Sequence, residues 1–228
     1  MRPDIAVIVK ALKVEFDRHR MPVVDLVQVT THDPYKVLVA TILSARTQDQ
    51  TTARAAERLF ERAPDLQSLR LLSTTVLARL IFPVGFYKNK ARFLHELPST
   101  INVLFKGTIP HTVEELIQLP GVGRKTANLV VCIGFNLPAI CVDVHVHRIC
   151  NRLGYLKTAN PLQTEMALRA QLPKRFWLSI NSLLVSFGQH TCRPVNPHCD
   201  RCGIYRQCGR VGVTTTHARK DRNGASTF

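Results

Sequence analysis

The stretch Leu119-Pro120-Gly121-Val122-Gly123-Arg124-Lys125-Thr126-Ala127-Asn128 decides how this chain is read. Helical periodicity runs over 112–119 and resumes over 124–135, so the two glycines fall in a tight hairpin between helices. Gly121 and Gly123 permit positive φ and close backbone approach, Val122 sits between them, and the next helix turns its N–H groups toward an anion. A turn of this kind binds a phosphate backbone rather than bases. The plain alternative is a Gly-rich connector. A nucleotide-binding P-loop needs Gly-x-x-x-x-Gly-Lys-Ser/Thr after a strand, and neither that spacing nor a strand is present here.

Outward from the hairpin the pattern stays helical. Ile5, Ile8, Val9, Leu12 and Phe16 form one stripe over residues 4–18. Asp33-Pro34 caps and starts an apolar helix running from Tyr35 to Ser44. Further helices are expected at 48–62, 65–71, 73–82, 87–105, 143–153, 161–171 and 175–190, and Thr112 with Glu115 has the capping-box form. Period-two alternation is not sustained anywhere, although the apolar run from Ala139 to Val142 is the one place for a short strand. The fold class read here is all-α. The segment from Val211 onward lacks apolar periodicity and is expected to be a flexible tail.

Of the 228 residues 45% are hydrophobic, which excludes disorder for the bulk of the chain, and no apolar run reaches the roughly 20 residues of a bilayer span. The opening Met1-Arg2-Pro3-Asp4 lacks the apolar core of a secretory signal, so a cytoplasmic protein is expected. Against 16 acidic residues stand 31 Lys and Arg, a net charge of +15, and a polyanion is the expected partner. The cations come in short groups, Lys88/Lys90/Arg92, Arg124/Lys125, Arg148/Arg152 and Arg193/Arg201/Arg206/Arg210, which suits a folded surface tracking phosphates rather than a membrane-surface helix.

Beyond the hairpin, two constellations carry chemistry. Lys125 follows the hairpin at a helix N-terminus beside Arg124; partial burial, a neighbouring cation and the helix dipole all favour the neutral amine that nucleophilic attack requires. Asp143 ends an apolar run and opens a helix, where it can cap that helix and still face a cleft; a plain cap and a phosphate contact are the alternatives for the two residues. His145 and His147, two apart and so about 200° around a helix, cannot share a metal ion and are read as packing groups. Cys192, Cys199, Cys202 and Cys208 place four thiols within 17 residues, in a basic loop that would be costly to order without a metal centre. Four cysteines serve tetrahedral zinc or a [4Fe-4S] cluster; with a single two-residue knuckle, Cys199 to Cys202, the spacing tilts toward iron and sulfur. Cys132, Cys141 and Cys150 lie singly in apolar surroundings, as core residues do.

Taken together, the run at 119–128, the Val-Asp-x-His-x-x-Arg-x-x-Asn-Arg run at 142–152 and the C-x6-C-x2-C-x5-C ending at Cys208 resemble the endonuclease III family of helix-hairpin-helix DNA glycosylases, over about residues 5–208. The resemblance implies a two-lobed fold: a central helical domain of 26–135 carrying the hairpin, and a second lobe from 1–25 plus 136–210 carrying the cluster loop, with 211–228 as the tail. It implies one [4Fe-4S] cluster on the four cysteines and a monomer acting on duplex DNA that contains damaged pyrimidines or abasic sites, in the cytoplasm with the nucleoid and without a membrane partner. Lys125 would be the nucleophile and Asp143 its electrostatic partner. Gly121, Val122, Gly123, Arg124 and Arg148 would meet the DNA backbone, together with Tyr87 and Lys88. Phe86 would wedge beside the orphaned base and Arg46 would enter the void, where relatives commonly carry an aliphatic residue and Gln; Val144 stands where Thr is frequent. The implied activity is excision of oxidised or ring-saturated pyrimidines with β-elimination. Rival readings are a monofunctional mismatch glycosylase, which typically lacks the lysine, a non-catalytic iron-sulfur DNA-binding module, and an RNA-binding protein, disfavoured by 7% aromatics.

Overall fold

The computed structural model describes residues 3–18, 24, 27 and 31–214, and every regular element among them is helical. They group into two compact units, one of residues 22–141 and the other of 1–21 with 142–228. No helix among the described residues is long and apolar enough to cross a membrane.

The continuous unit is organised around α2, Pro34–Ser44, in which eight residues from Tyr35 to Leu43 are buried. Asp33 starts it as expected, its Oδ1 accepting the Tyr35 N–H at 2.9 Å ahead of a proline in the first turn. Packed around this apolar rod are α3 (Asp49–Arg62), α6 (Tyr87–Phe105) and α8 (Arg124–Leu129). The short helices α4 (Leu66–Arg70) and α5 (Thr74–Ile81) pack on α6, and α7 (Val113–Leu116) packs on α8. Each turns one apolar stripe inward: Leu59, Leu69, Leu77, Ile81, Leu94, Leu97 and Ile101 are all fully enclosed. Thr112 caps α7 by accepting the Glu115 N–H at 3.3 Å, and its hydroxyl donates to the Glu115 carboxylate at 2.7 Å.

Two local expectations change. The single helix expected over 124–135 is α-helical only to Leu129 and then widens into a π turn, Val130–Gly134, whose Val130, Val131, Cys132 and Gly134 are buried against α2. The run from Ala139 to Val142 is buried but forms no strand.

The second unit joins both parts of the chain. Helix α1 (Ile5–Phe16) buries Ile8, Val9 and Leu12 against α11 (Trp177–His190), and the Thr191 hydroxyl donates to the Glu15 carboxylate. Helix α9 (Val144–Arg152) packs on α11 through Val146, Ile149 and Cys150, and on α10 (Pro161–Gln171). Beyond two short 3-10 turns, Cys199–Arg201 and Tyr205–Gln207, the chain folds back onto the end of α9: Gly209 donates to the Leu153 carbonyl at 3.1 Å and Val211 to that of Arg152 at 2.9 Å. The first residues of the expected tail are thus docked; 215–228 lie outside the described residues.

Candidate functional site

The hairpin is built almost entirely by its own backbone. Val122 turns inward, 6% exposed, and donates to the Leu119 carbonyl at 3.2 Å. Gly121 has φ +74°, and a Cβ there would sit 2.5 Å from the Phe93 ring, so both the conformation and the contact demand glycine. Gly123 is different: its φ is −92° and nothing lies within 4 Å of where its Cβ would be. It leaves room for a ligand to come close to the backbone at the start of α8. Arg124 and Lys125 occupy the first turn of that helix and both are exposed. The partial burial expected of Lys125 is therefore absent.

Asp143 opens α9 in the other unit and is 9% exposed. Its Oδ1 accepts both the His145 and the Val146 N–H at 2.9 Å, so the capping role read from sequence is real and occupies one of two carboxylate oxygens. Nearby, His147 Nδ1 lies 2.7 Å from the Thr164 hydroxyl while His145 Nδ1 lies 3.1 Å from the Arg148 guanidinium, so the two histidines serve different partners.

Arg46 and Phe86 lie together in the continuous unit. Both are exposed, Phe86 by 60%, both hold left-handed backbone (φ +53° and +57°), and the Arg46 guanidinium sits 5.5 Å from the Phe86 ring centroid. Left-handed conformations in residues of this size cost of order 1–3 kcal/mol each and persist only where the surroundings impose them. Beside Phe86, Tyr87 is half-buried, stacked edge-on against Phe82 at 5.3 Å, and Lys88 is exposed.

The surroundings include a residue whose role the sequence reading assigned otherwise. Lys90, grouped there with Lys88 and Arg92 as a phosphate contact, is only 5% exposed. Its Nζ donates to the carbonyls of Leu43 at 2.8 Å and Ala45 at 2.6 Å and to the Thr47 hydroxyl at 3.2 Å. Burial lowers this amine to about 8. The signal was available, since residues 90, 94, 97 and 101 fall on one stripe of α6 and the last three are apolar. Arg148 and Arg152 also turn inward instead of facing outward as expected. Arg148 donates to the carbonyls of Gly188 at 3.2 Å and Cys192 at 2.9 Å, and Arg152 to those of Arg193 at 2.6 Å and Pro194 at 2.7 Å.

These arginines tie down the cysteine loop. Cys192, Cys199, Cys202 and Cys208 line one small pocket, with Ile149, Phe187 and Ile204 as apolar walls. Arg152 Nη1 lies 3.6 Å from the Cys192 sulfur, and the Cys208 sulfur accepts the Arg210 N–H at 3.3 Å. Burial first, and then the other thiols, push the Cys199 and Cys202 thiols up, Cys202 to about 12; Arg210 and Arg152 act the other way on Cys199. Cys199, Cys202 and Cys208, whose ionisation burial and neighbouring thiols oppose, form with Cys192 a donor set that a positively charged iron centre would relieve. Among the described residues, no three His, Cys, Asp or Glu side chains are arranged to hold a single metal ion.

Residues 39–174 match the model of the HhH-GPD superfamily base excision DNA repair proteins. Endonuclease III of Thermotoga maritima is 44% identical over 176 residues, 77% of this chain and 83% of its own length. Endonuclease III-like protein 1 of Gallus gallus is 42% identical over 82% of this chain and 71% of its own. A solved structure described as a trapped endonuclease III-DNA covalent intermediate, in an estranged-adenine complex, is 34% identical; it superposes with a TM-score of 0.74 over 78% of this chain and 84% of that one. A thermostable thymine-DNA glycosylase, 24% identical, shares the fold with a TM-score of 0.78 over 90% of this chain and 95% of that one. On these matches the chain belongs to the endonuclease III family of DNA glycosylases, within the HhH-GPD superfamily of base excision DNA repair proteins.

Proposed function

We propose that this chain is a bifunctional glycosylase and abasic-site lyase that removes oxidised or ring-saturated pyrimidines from duplex DNA, acting as a monomer. The observation that carries the reading is Lys125, an exposed amine on the first turn of α8 directly after the Gly121 hairpin. It gains support from the relative that was trapped covalently on DNA.

In this reading the hairpin backbone and Arg124 hold the phosphates, and the damaged nucleotide leaves the stack at a cost of a few kcal/mol, less for a base that pairs poorly. Phe86 and Arg46 fill the space it vacates. As the bond between C1′ and the base breaks, its electron pair departs with the base, and Asp143 stabilises the positive charge developing on the sugar through the oxygen that does not cap α9. The Lys125 nitrogen bonds to C1′ and loses a proton, and the sugar ring opens to a protonated Schiff base. Loss of a C2′ proton sends its electrons into a new C2′–C3′ double bond and expels the 3′ phosphate, cutting the strand on that side. Water then returns the free lysine. An amine nucleophile permits elimination; a water nucleophile ends at base release.

Cys192, Cys199, Cys202 and Cys208 would hold a [4Fe-4S] cluster, which would supply a rigid, charged brace for the loop rather than chemistry at the sugar. The test is borohydride trapping on a duplex carrying one thymine glycol. The wild-type protein should yield a covalent complex and Lys125→Gln none, while Lys125→Gln still binds the damaged duplex. A trapped complex with Lys125→Gln would refute the assignment.

A further inference from the structure

The Arg46 turn and the Gly85-Phe86 turn are separated by some forty residues of sequence yet are in backbone contact: a Cβ on Gly85 would lie 2.5 Å from the Arg46 carbonyl oxygen. One buried group joins them. The three protons of the Lys90 ammonium meet three acceptors, the carbonyls of Leu43 and Ala45 at the end of α2 and the Thr47 hydroxyl. That hydroxyl in turn accepts the Gly85 N–H at 3.1 Å, so a continuous chain runs from Lys90 through Thr47 to the turn that presents Phe86. A second tie comes from Arg58 on α3, which donates to the carbonyls of Leu80 at 2.9 Å and Phe82 at 2.5 Å. The acceptors of Lys90 bracket Arg46 on both sides, and Lys90 itself lies in the first turn of α6, the helix that Phe86 precedes.

We propose that Lys90 is a positioning residue that holds the Arg46 and Phe86 turns in one fixed arrangement, so that both side chains enter the DNA together. The proposal rests on the reading above in which Arg46 and Phe86 occupy the space left by the extruded nucleotide. Strained turns need a surrounding that over-determines them, and a buried cation with all three donors used supplies one. Displacing a positioned group by about an ångström can cost a hundredfold in a reaction it supports.

The experiment uses the cluster-loaded protein and a duplex with a stable tetrahydrofuran abasic analogue opposite 2-aminopurine, whose fluorescence reports unstacking of the orphaned base. Lys90→Met keeps the length and removes the donors; Thr47→Val removes the link to Gly85 and one of the three Lys90 acceptors. Lys90→Met should lose most of the fluorescence change and bind the abasic duplex roughly tenfold more weakly. Thr47→Val should show a smaller loss of the same kind, and both should bind undamaged duplex as the wild type does. Folded Lys90→Met with the full fluorescence change would overturn the proposal. Should Lys90→Met fail to fold, Thr47→Val decides alone, and an unchanged signal overturns it equally. Arg46→Ala and Phe86→Ala separate the two layers of inference. If they abolish the signal while Lys90→Met and Thr47→Val keep it, only the positioning role falls. If they leave it unchanged, the wedge reading falls and the positioning role with it.

Discussion

The hairpin at 119–125 and the cysteine loop at 192–208 reach their conformations by opposite means. The hairpin closes on itself: its defining bond joins Val122 to Leu119, its φ preference is met by glycine, and Lys125 at its end is exposed. The cysteine loop is held from outside. Arg148 and Arg152 reach it from some forty residues away and bond the carbonyls of Cys192, Arg193 and Pro194. Local closure leaves the functional side chain free to be exchanged without loss of structure, whereas remote bracing ties structure and function to the same few side chains.

That contrast can be broken most directly at Lys125. Because it is exposed and unneeded by the hairpin, Lys125→Gln should lower strand cleavage by about a thousandfold or more while melting temperature and damaged-duplex affinity stay at wild-type values. A matching fall in melting temperature would show that the hairpin does depend on the side chain. In the cysteine loop the reverse is expected. If the proposed cluster is bound, Cys202→Ser should remove its brown absorbance and expose 192–208 to protease, since metal binding there would also be folding energy; a variant that keeps its colour would discount Cys202 as a ligand. Next in size, Arg152→Ala deletes two charge-assisted bonds to carbonyls and a contact to the Cys192 sulfur, and should cost about 2 kcal/mol in denaturant unfolding. An unchanged midpoint would mean the loop braces itself. Smallest is Gly121→Ala, at about 1–2 kcal/mol from its positive φ and the Phe93 contact. Adding Phe93→Ala should relieve the contact and leave the conformational part, which sharpens how much of the hairpin is backbone alone.

The same contrast explains what could be read from the sequence. Caps at Asp33, Thr112 and Asp143, the apolar rod of α2 and the glycine hairpin are local, and local patterns announce them. The π turn after Leu129 does not show in a pattern of 3.6, because its residues are apolar on every side and buried whichever way the helix winds. Lys90 and Arg148 were placed at the surface because charge groups in sequence suggest a solvated face; what spends their charge is a set of carbonyls, and carbonyls leave no trace in side-chain identity. The four cysteines were legible as a donor set from spacing, but the cavity they line depends on where α9 and α11 meet.

The pairing of α1 with α11 sets an order on biosynthesis. Glu15 and the Thr191 that bonds it are 176 residues apart, so on a ribosome adding about 5–20 residues each second the apolar stripe of Ile8, Val9 and Leu12 waits roughly nine to thirty-five seconds for its partner. Meanwhile residues 22–141 are complete and can condense on their own core. The nascent chain therefore carries the exposed apolar stripe of α1 until α11 has been made.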